Sequence, residues 1–309
     1  MSPRPKMLAW PDFPPDFVVW KLNPTGCELT AKELAPGVYA LLSSIPGVDN
    51  VGFVVGKKGV LVIDAHISVA MARQIQERIR EVTDKPLLYL VNSNYHADHV
   101  FGNCAFPRET VLIQHRETAA RTPYFKEERE FMLPAVANDP AIFEGAAYRA
   151  PDLVFGDRLA IDLGGIAAEV HWFGAANTPG DTVTYVPSAR AAWVGNMTTG
   201  TFGLCLESDA PTYMATVARL MEALVIDTVV PAHAPIHGPE AFGDNLRYFG
   251  NLATRVKRAL QEGWSLEETM RRTPLDDTYR LPDADPRAVF IQGRHSYNVR
   301  RTYNSLAGR

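Results

Sequence analysis

The sequence predicts an α/β chain built as two facing sheets with helices outside them, a four-layer αββα sandwich. Two observations predict it. A hairpin, a polar residue, a helix, a strand and a histidine loop follow one another in the first half of the chain, and the same order returns later with hardly a shared letter. Both histidine loops also come directly after apolar strands, so two such halves placed face to face bring both loops to one edge.

The elements follow from local patterns. Residues 1–32 are rich in proline and aromatics, among them Trp10, Phe13, Phe17 and Trp20, and read as an extended arm lying over the body or over a second copy of the chain. A strand over 37–43 leads through a turn at 44–50 into VGFVVG, Lys57-Lys58-Gly59 and VLVID, a hairpin ending at Asp64. Apolar residues at helical spacing (Val69, Met71, Ile75, Ile79, Val82) predict a helix over 68–82, followed by a strand over 86–91. The second hairpin spans 182–186 and 191–194 and ends at Asn196. A helix over 210–224 and a strand over 228–230 then lead into PAHAPIHG. From Phe242 onward the pattern turns helical, over 245–262, over 265–272 with Ser265 as cap, and over 294–306. The expected division is an arm 1–32, a sandwich 33–240 and a helical subdomain 241–309.

At 309 residues and 46% hydrophobic content the chain has ample material for a core. A net charge of −4 without any Lys/Arg block argues against nucleic acid or an anionic membrane as partner. The first sixteen residues lack a continuous apolar stretch, and a cytoplasmic address is expected by default. Cys27, Cys104 and Cys205 are scattered without a CxxC, so neither a disulfide framework nor a zinc knuckle is expected.

The densest chemistry is VNSNYHADHVFGNCAF, 91–106, which packs His96, Asp98 and His99 into four residues behind a strand. Imidazole and carboxylate together suit Zn²⁺, Fe²⁺ or Mn²⁺, whereas calcium and magnesium sites are built from oxygens.

Read in order, IDAH, NYHADH, NTPGD, VGN and PAHAP resemble the motifs of the metallo-β-lactamase superfamily from about Glu33 to Gly238. The resemblance implies the αββα fold and a metal-dependent hydrolase, and it departs from the family pattern at three ligands. Asn94 stands where HxHxDH has its first histidine, Asn177 where a histidine precedes TPGD, and Asn196 where the bridging aspartate falls. One family metal would be left with Asn94, His96 and Asn177, a weak set for zinc. The other keeps all its ligands: Asp98, His99 and His233. The expectation is one divalent ion, zinc before iron or manganese, with His96, Asp98 and Asn196 catalytic and Asn94 and Asn177 binding a small-molecule substrate. Asp64 and Asp181 would support the ligands from behind, with His96 donating to Asp64.

His66 and His237 flank the retained motifs and could replace a missing ligand. His171 reads as a core histidine, His115 as a surface or capping residue, and Glu207 and Asp209 as cap and loop residues. The turn 44–50 reads as a plain connection that could also cover the site. The leading function is attack of metal-activated water on an ester, thioester, lactone or amide, with an asparagine amide holding the oxyanion. Two histidines and a carboxylate also suit non-haem iron oxygen chemistry, or a lyase or cyclase step. The third reading is a metal-free protein that binds a small molecule without turnover. A homo-oligomer through the arm is a further expectation.

Overall fold

The computed structural model describes residues 14, 17–198, 202–285 and 287–308. The first sheet holds β1 (Leu29–Ala35), β2 (Val38–Ser43), β3 (Val51–Val55), β4 (Val60–Ile63), β5 (Leu87–Val91), β6 (Val111–His115) and β7 (Leu153–Phe155), hydrogen-bonded in that order. Pairing is antiparallel as far as β4 and parallel from β4 to β7. The second sheet has the order β12 (Thr228–Val230), β11 (Ala191–Trp193), β10 (Val183–Val186), β9 (Ala167–His171) and β8 (Arg158–Asp162).

The predicted repeat is visible in the pairing. Helix α1 (Val69–Val82) crosses from β4 to a parallel β5, and α5 (Ala210–Ala223) crosses from β11 to a parallel β12. Ser68 caps α1 through the Met71 amide, and Asp209 caps α5 through the Thr212 amide. The arm is shorter than its predicted bounds, since β1 begins at Leu29 and pairs with β2; alternating side chains there serve a sheet edge better than a strap.

Each strand residue chooses its layer by period two. Val60 and Val62 of β4 pack towards α1 with Met71, Ile75 and Ile79, while Leu61 and Ile63 point to the second sheet and meet Val170, Ala191 and Val230. Burying each such side chain stabilises by about 1.5–3 kcal/mol. On the far side, α5 shares one core with α6 (Glu240–Gln261) and α8 (Ala288–Leu306). The tail helices run longer at their N-terminal ends than the sequence pattern shows, while α7 (Leu266–Arg272) starts at the Ser265 cap. No helix among the described residues is long and apolar enough to cross a membrane.

Both histidine loops leave their strands at the same sheet end. The 92–96 loop turns into the short helix α2 (Ala97–Val100), and the chain passes over Ala65 with very little clearance. A Cβ on Gly102 would lie 2.0 Å from the Ala65 carbonyl oxygen and 2.7 Å from the Ala72 Cβ. Gly102→Ala is therefore expected to destabilise the fold by about 3 kcal/mol, the upper part of the overpacking range, read as a lower urea midpoint at unchanged slope. A midpoint within about 0.5 kcal/mol of wild type would show that this approach is not tight.

Candidate metal centre

Asp49, Asp98, His99 and His233 bring one ligand atom each to within 4.8 Å of one another. Asp98 and His99 lie on α2 at the end of β5, and His233 follows β12, so the two halves of the chain each supply an imidazole. Asp98 Oδ2 is 3.2 Å from His233 Nε2 and 3.5 Å from His99 Nε2.

The outer nitrogens fix what the inner ones offer. His99 Nδ1 is 3.0 Å from Asp64 Oδ2 and 3.1 Å from Ser93 Oγ, and Asp64 also accepts from the Ser93 amide at 2.7 Å and the Ser93 hydroxyl at 2.8 Å. His233 Nδ1 donates to the Gly47 carbonyl at 2.9 Å. With Nδ1 on a carboxylate or a carbonyl, each ring turns its Nε2 towards the Asp98 carboxylate, the arrangement of carboxylate–histidine–metal triads. Lone pairs and carboxylates that converge repel unless a proton or a cation lies among them. Both Asp49 oxygens, Asp98 Oδ1 and His99 Nε2 are buried without a hydrogen-bond partner. Burial and the adjacent Asp98 push the Asp49 carboxyl well above the usual carboxylate range. Burial alone would lower His99, but the Asp98 and Asp64 carboxylates outweigh it and raise the imidazole to about 10. Such a donor set fits one divalent cation.

Asp49 was not among the expected ligands. It comes from the turn between β2 and β3, held by the Asn50 amide NH₂ on the carbonyls of Pro231 and Ala234. Antiparallel pairing of Gly52 with Ile63 places that turn at the sheet end where Asp64 lies, and this topology was the available signal.

The other expected residues fall into two groups. His96 does not face Asp64: its Nδ1 pairs with buried Glu128 at 2.9 Å, since Asp64 is already taken by His99 and Ser93, and its Nε2 is left without a partner. Asn94 takes the His96 amide on Oδ1, so its NH₂ remains buried and unused. Asn177 donates to the Leu204 carbonyl and stands 3.5 Å from the Asn196 NH₂, so the unused Asn196 atom is its oxygen. Asp181 accepts from the Thr178 amide, and burial raises its carboxyl to about 6.

Of the flanking histidines, His66 accepts the Ile67 amide on Nδ1, which leaves Nε2 a donor rather than a ligand, and His237 is bound to the Gly238 carbonyl. His66 and Asp64 both hold left-handed backbone, with φ of 66° and 63°, conformations that accumulate where a site overrides local preference. His115 is buried rather than at the surface, stacked on Trp172 and capping α3 (Arg116–Arg121) through the Glu117 amide. Asp209 is a cap, and half-buried Glu207 accepts from the Tyr95 hydroxyl at 2.6 Å.

Comparison with known proteins identifies the family and the fold. Residues 45–233, more than half of the chain, match the profile of the metallo-beta-lactamase superfamily. A linear primary-alkylsulfatase from Pseudomonas sp. (strain ATCC 19151) is 22% identical over 290 residues, covering 81% of this chain and 54% of that protein. The chain thus spans about half the length of that curated relative. Among solved structures, the stereoselective inverting sec-alkylsulfatase Pisa1 from Pseudomonas sp. superposes with a TM-score of 0.71 at 16% identity, over 91% of this chain and 50% of its own. A metallo-beta-lactamase from Pontibacter korlensis gives 0.58 at 18% identity, over 72% of this chain and 100% of its own.

Two outcomes test the centre. Asp49→Asn keeps the shape but removes a charge, and should weaken divalent-metal affinity on the order of 100-fold, since partners that only orient a ligand are already worth 10–100-fold; chelator competition reads it, and unchanged affinity removes Asp49 from the ligand set. Asp181 titrates higher in the folded chain (about 6, from 3.8), so the folded state binds more protons than the unfolded one between these values. The stability this proton contributes is present below about pH 4 and is lost as pH rises through about 6. Asp181→Asn should abolish that fall in urea titrations between pH 4 and 6, and an identical pH dependence in the variant would refute the assignment.

Proposed function

Because the chain belongs to the metallo-beta-lactamase superfamily, we propose that it is a hydrolase working with one divalent ion held by Asp98, His99, His233 and Asp49. The observation that carries this reading is the set of buried, unpartnered carboxylate oxygens and the imidazole nitrogen converging on one point. Bound there, such an ion supplies a Lewis acid able to bring the pKa of water towards neutrality. Zinc suits these donors best, with iron and manganese next. Asp49 and Asp98 together match the two charges of the ion, so the buried centre sums to zero before any substrate enters.

The chain's own residues divide the remaining work. Asp64 orients His99, and Gly47 orients His233, so both rings are fixed before substrate arrives. The Asn94 NH₂, buried and without a partner, would hold a developing oxyanion in preference to Asn177 and Asn196, whose NH₂ groups are already engaged. His96, braced by Glu128 on Nδ1, would use its unpartnered Nε2 to hold or pass a proton to the leaving oxygen. The substrate class is an ester of a small molecule, with thioesters, lactones and amides as chemical neighbours. The names of the relatives add sulfate esters to this range.

Elemental analysis of protein purified without added metal should find one divalent ion per chain, and two tightly held equivalents would contradict the reading. In a screen of carboxylic and sulfate esters, His233→Ala should lose metal and turnover together. Asn94→Ala should keep the metal and lower kcat on the order of 100-fold, as for other oxyanion donors. Full turnover in His233→Ala would overturn metal-dependent hydrolysis at this centre.

A further inference from the structure

Asn50 joins the two halves of the chain one residue away from Asp49, and its side chain and backbone N–H are fully spent in doing so. The side-chain NH₂ donates to the Pro231 carbonyl at 3.0 Å and to the Ala234 carbonyl at 2.8 Å, and the backbone N–H donates to the Ala232 carbonyl at 2.7 Å. Asn50 Oδ1 accepts from the Ser43 amide of β2 at 3.0 Å. Three of the four carbonyls over 231–234 therefore end on one asparagine. His233, inside that run, returns a bond in the opposite direction, from Nδ1 to the Gly47 carbonyl at 2.9 Å.

The His233 loop needs such a partner. β12 ends at Val230 and Pro231 has no N–H, so beyond the sheet the loop is tied to its own half through the Ala232 amide on the Gly195 carbonyl at 3.0 Å. Ala232 and Ala234 are buried, where carbonyls left unpaired are costly. Asn50 supplies the missing donors from the first half of the chain. Its neighbour Asp49 places Oδ1 3.6 Å from His233 Nδ1, so the bonds that hold the loop also set the separation of two candidate ligands. The position calls for a short side chain with two N–H donors and an oxygen on one carbon. Aspartate has that shape without the donors, and glutamine is longer by a methylene.

From this juxtaposition we infer that Asn50 is a positioning residue of the metal centre: it clasps the Asp49 turn to the His233 loop, so that two ligands from opposite halves stand at their binding separation before an ion enters. The inference rests on the one-ion centre proposed above. It adds a residue that touches neither the ion nor the substrate and acts through the ligands on either side of the clasp. Partners that only orient ligands are worth on the order of 10–100-fold in metal affinity, and a centre assembled in advance does not have to order its turn and loop when the ion binds.

Chelator competition with Zn²⁺ on the full chain tests the clasp without any substrate. Asn50→Asp keeps an oxygen for the Ser43 amide and sets a second oxygen against the Pro231 and Ala234 carbonyls. Its charge alone would attract a divalent ion, so a fall in affinity reports lost alignment. The expected fall is on the order of 10–100-fold, with a weaker visible absorption band in the Co²⁺-loaded variant as the ligand geometry loosens. A role in stability alone would lower the urea midpoint and leave both readouts of the folded protein unchanged, and that result overturns the clasp. Amide hydrogen exchange of metal-free wild type needs no variant: the amides of Ser43, Asn50 and Ala232 should be protected before any ion is added. Protection that appears only with Zn²⁺ would show that the ion, rather than Asn50, assembles the site. The ester screen separates this from the hydrolase reading. Zn²⁺ affinity that falls in Asn50→Asp, without turnover of any ester by wild type, keeps the clasp and discards the hydrolase. Turnover by wild type with Zn²⁺ affinity unchanged in Asn50→Asp does the reverse.

Discussion

The structure depends on one constraint: the Asp98 carboxylate is buried between two imidazoles that come from different halves of the chain. Removing a carboxylate from water costs several kcal/mol, and only partners in good geometry return it. Much of the surrounding fold supplies that geometry. The parallel β4–β5 and β11–β12 crossovers bring the two histidine loops to one sheet end, and the inter-sheet layer of Leu61, Ile63, Val170 and Val230 sets how far apart the loops stand. Asp64, Ser93 and the Gly47 carbonyl then spend the outer nitrogen of each ring, so neither imidazole is free to turn away.

Much of the architecture was legible because period-two and helical spacing are strong over β3, β4, α1 and α5, where one face is buried and the other is not. The stretch from Pro107 to Trp172 was not. It builds β6 to β9, α3 and α4 (Phe125–Met132), but its strands of three to five residues are too short for a pattern to declare itself, and α4 is mostly charged. The beginning of β1 was hidden by the proline-rich run before it. At the site, residues within motifs could be read, since their spacing along the chain is their spacing in space. Asp49 and Glu128 could not. Each reaches the centre or its edge from a different element, and one carboxylate in a turn or on a charged helix looks like any other until the topology is known. His96 was misplaced for a related reason. Its family position suggested Asp64 as partner, but a partner is decided by which acceptor is still unspent, and Asp64 is already full.

Two local preferences are overridden around this centre. Asp64 and His66 hold left-handed backbone, which costs of order 1–3 kcal/mol each, and His66 spends Nδ1 on the next residue's amide while its pKa falls to about 3 through burial. Such costs persist where the neighbours leave no alternative, and Gly102, packed closely on the Ala65 carbonyl, is one of those neighbours. The same crowding keeps a neutral donor, rather than another cation, beside the carboxylates.

The three asparagines can then be understood as a set. Against the motif pattern that the sequence resembles, Asn94, Asn177 and Asn196 stand in place of two imidazoles and a carboxylate, and amides are weak ligands for a divalent ion. The amides are used unequally. Asn177 and Asn196 lock the 202–206 and 196 backbones together, while Asn94 retains a buried NH₂ next to a histidine braced by Glu128. That NH₂ is a neutral hydrogen-bond donor, and it needs no counter-charge. Under the one-ion proposal the carboxylate that would neutralise the ion beside Asp98 is Asp49, which arrives from the turn rather than from the motif. The site would then hold a single cation on Asp49, Asp98, His99 and His233, with neutral amides rather than further ligands on the other motif positions.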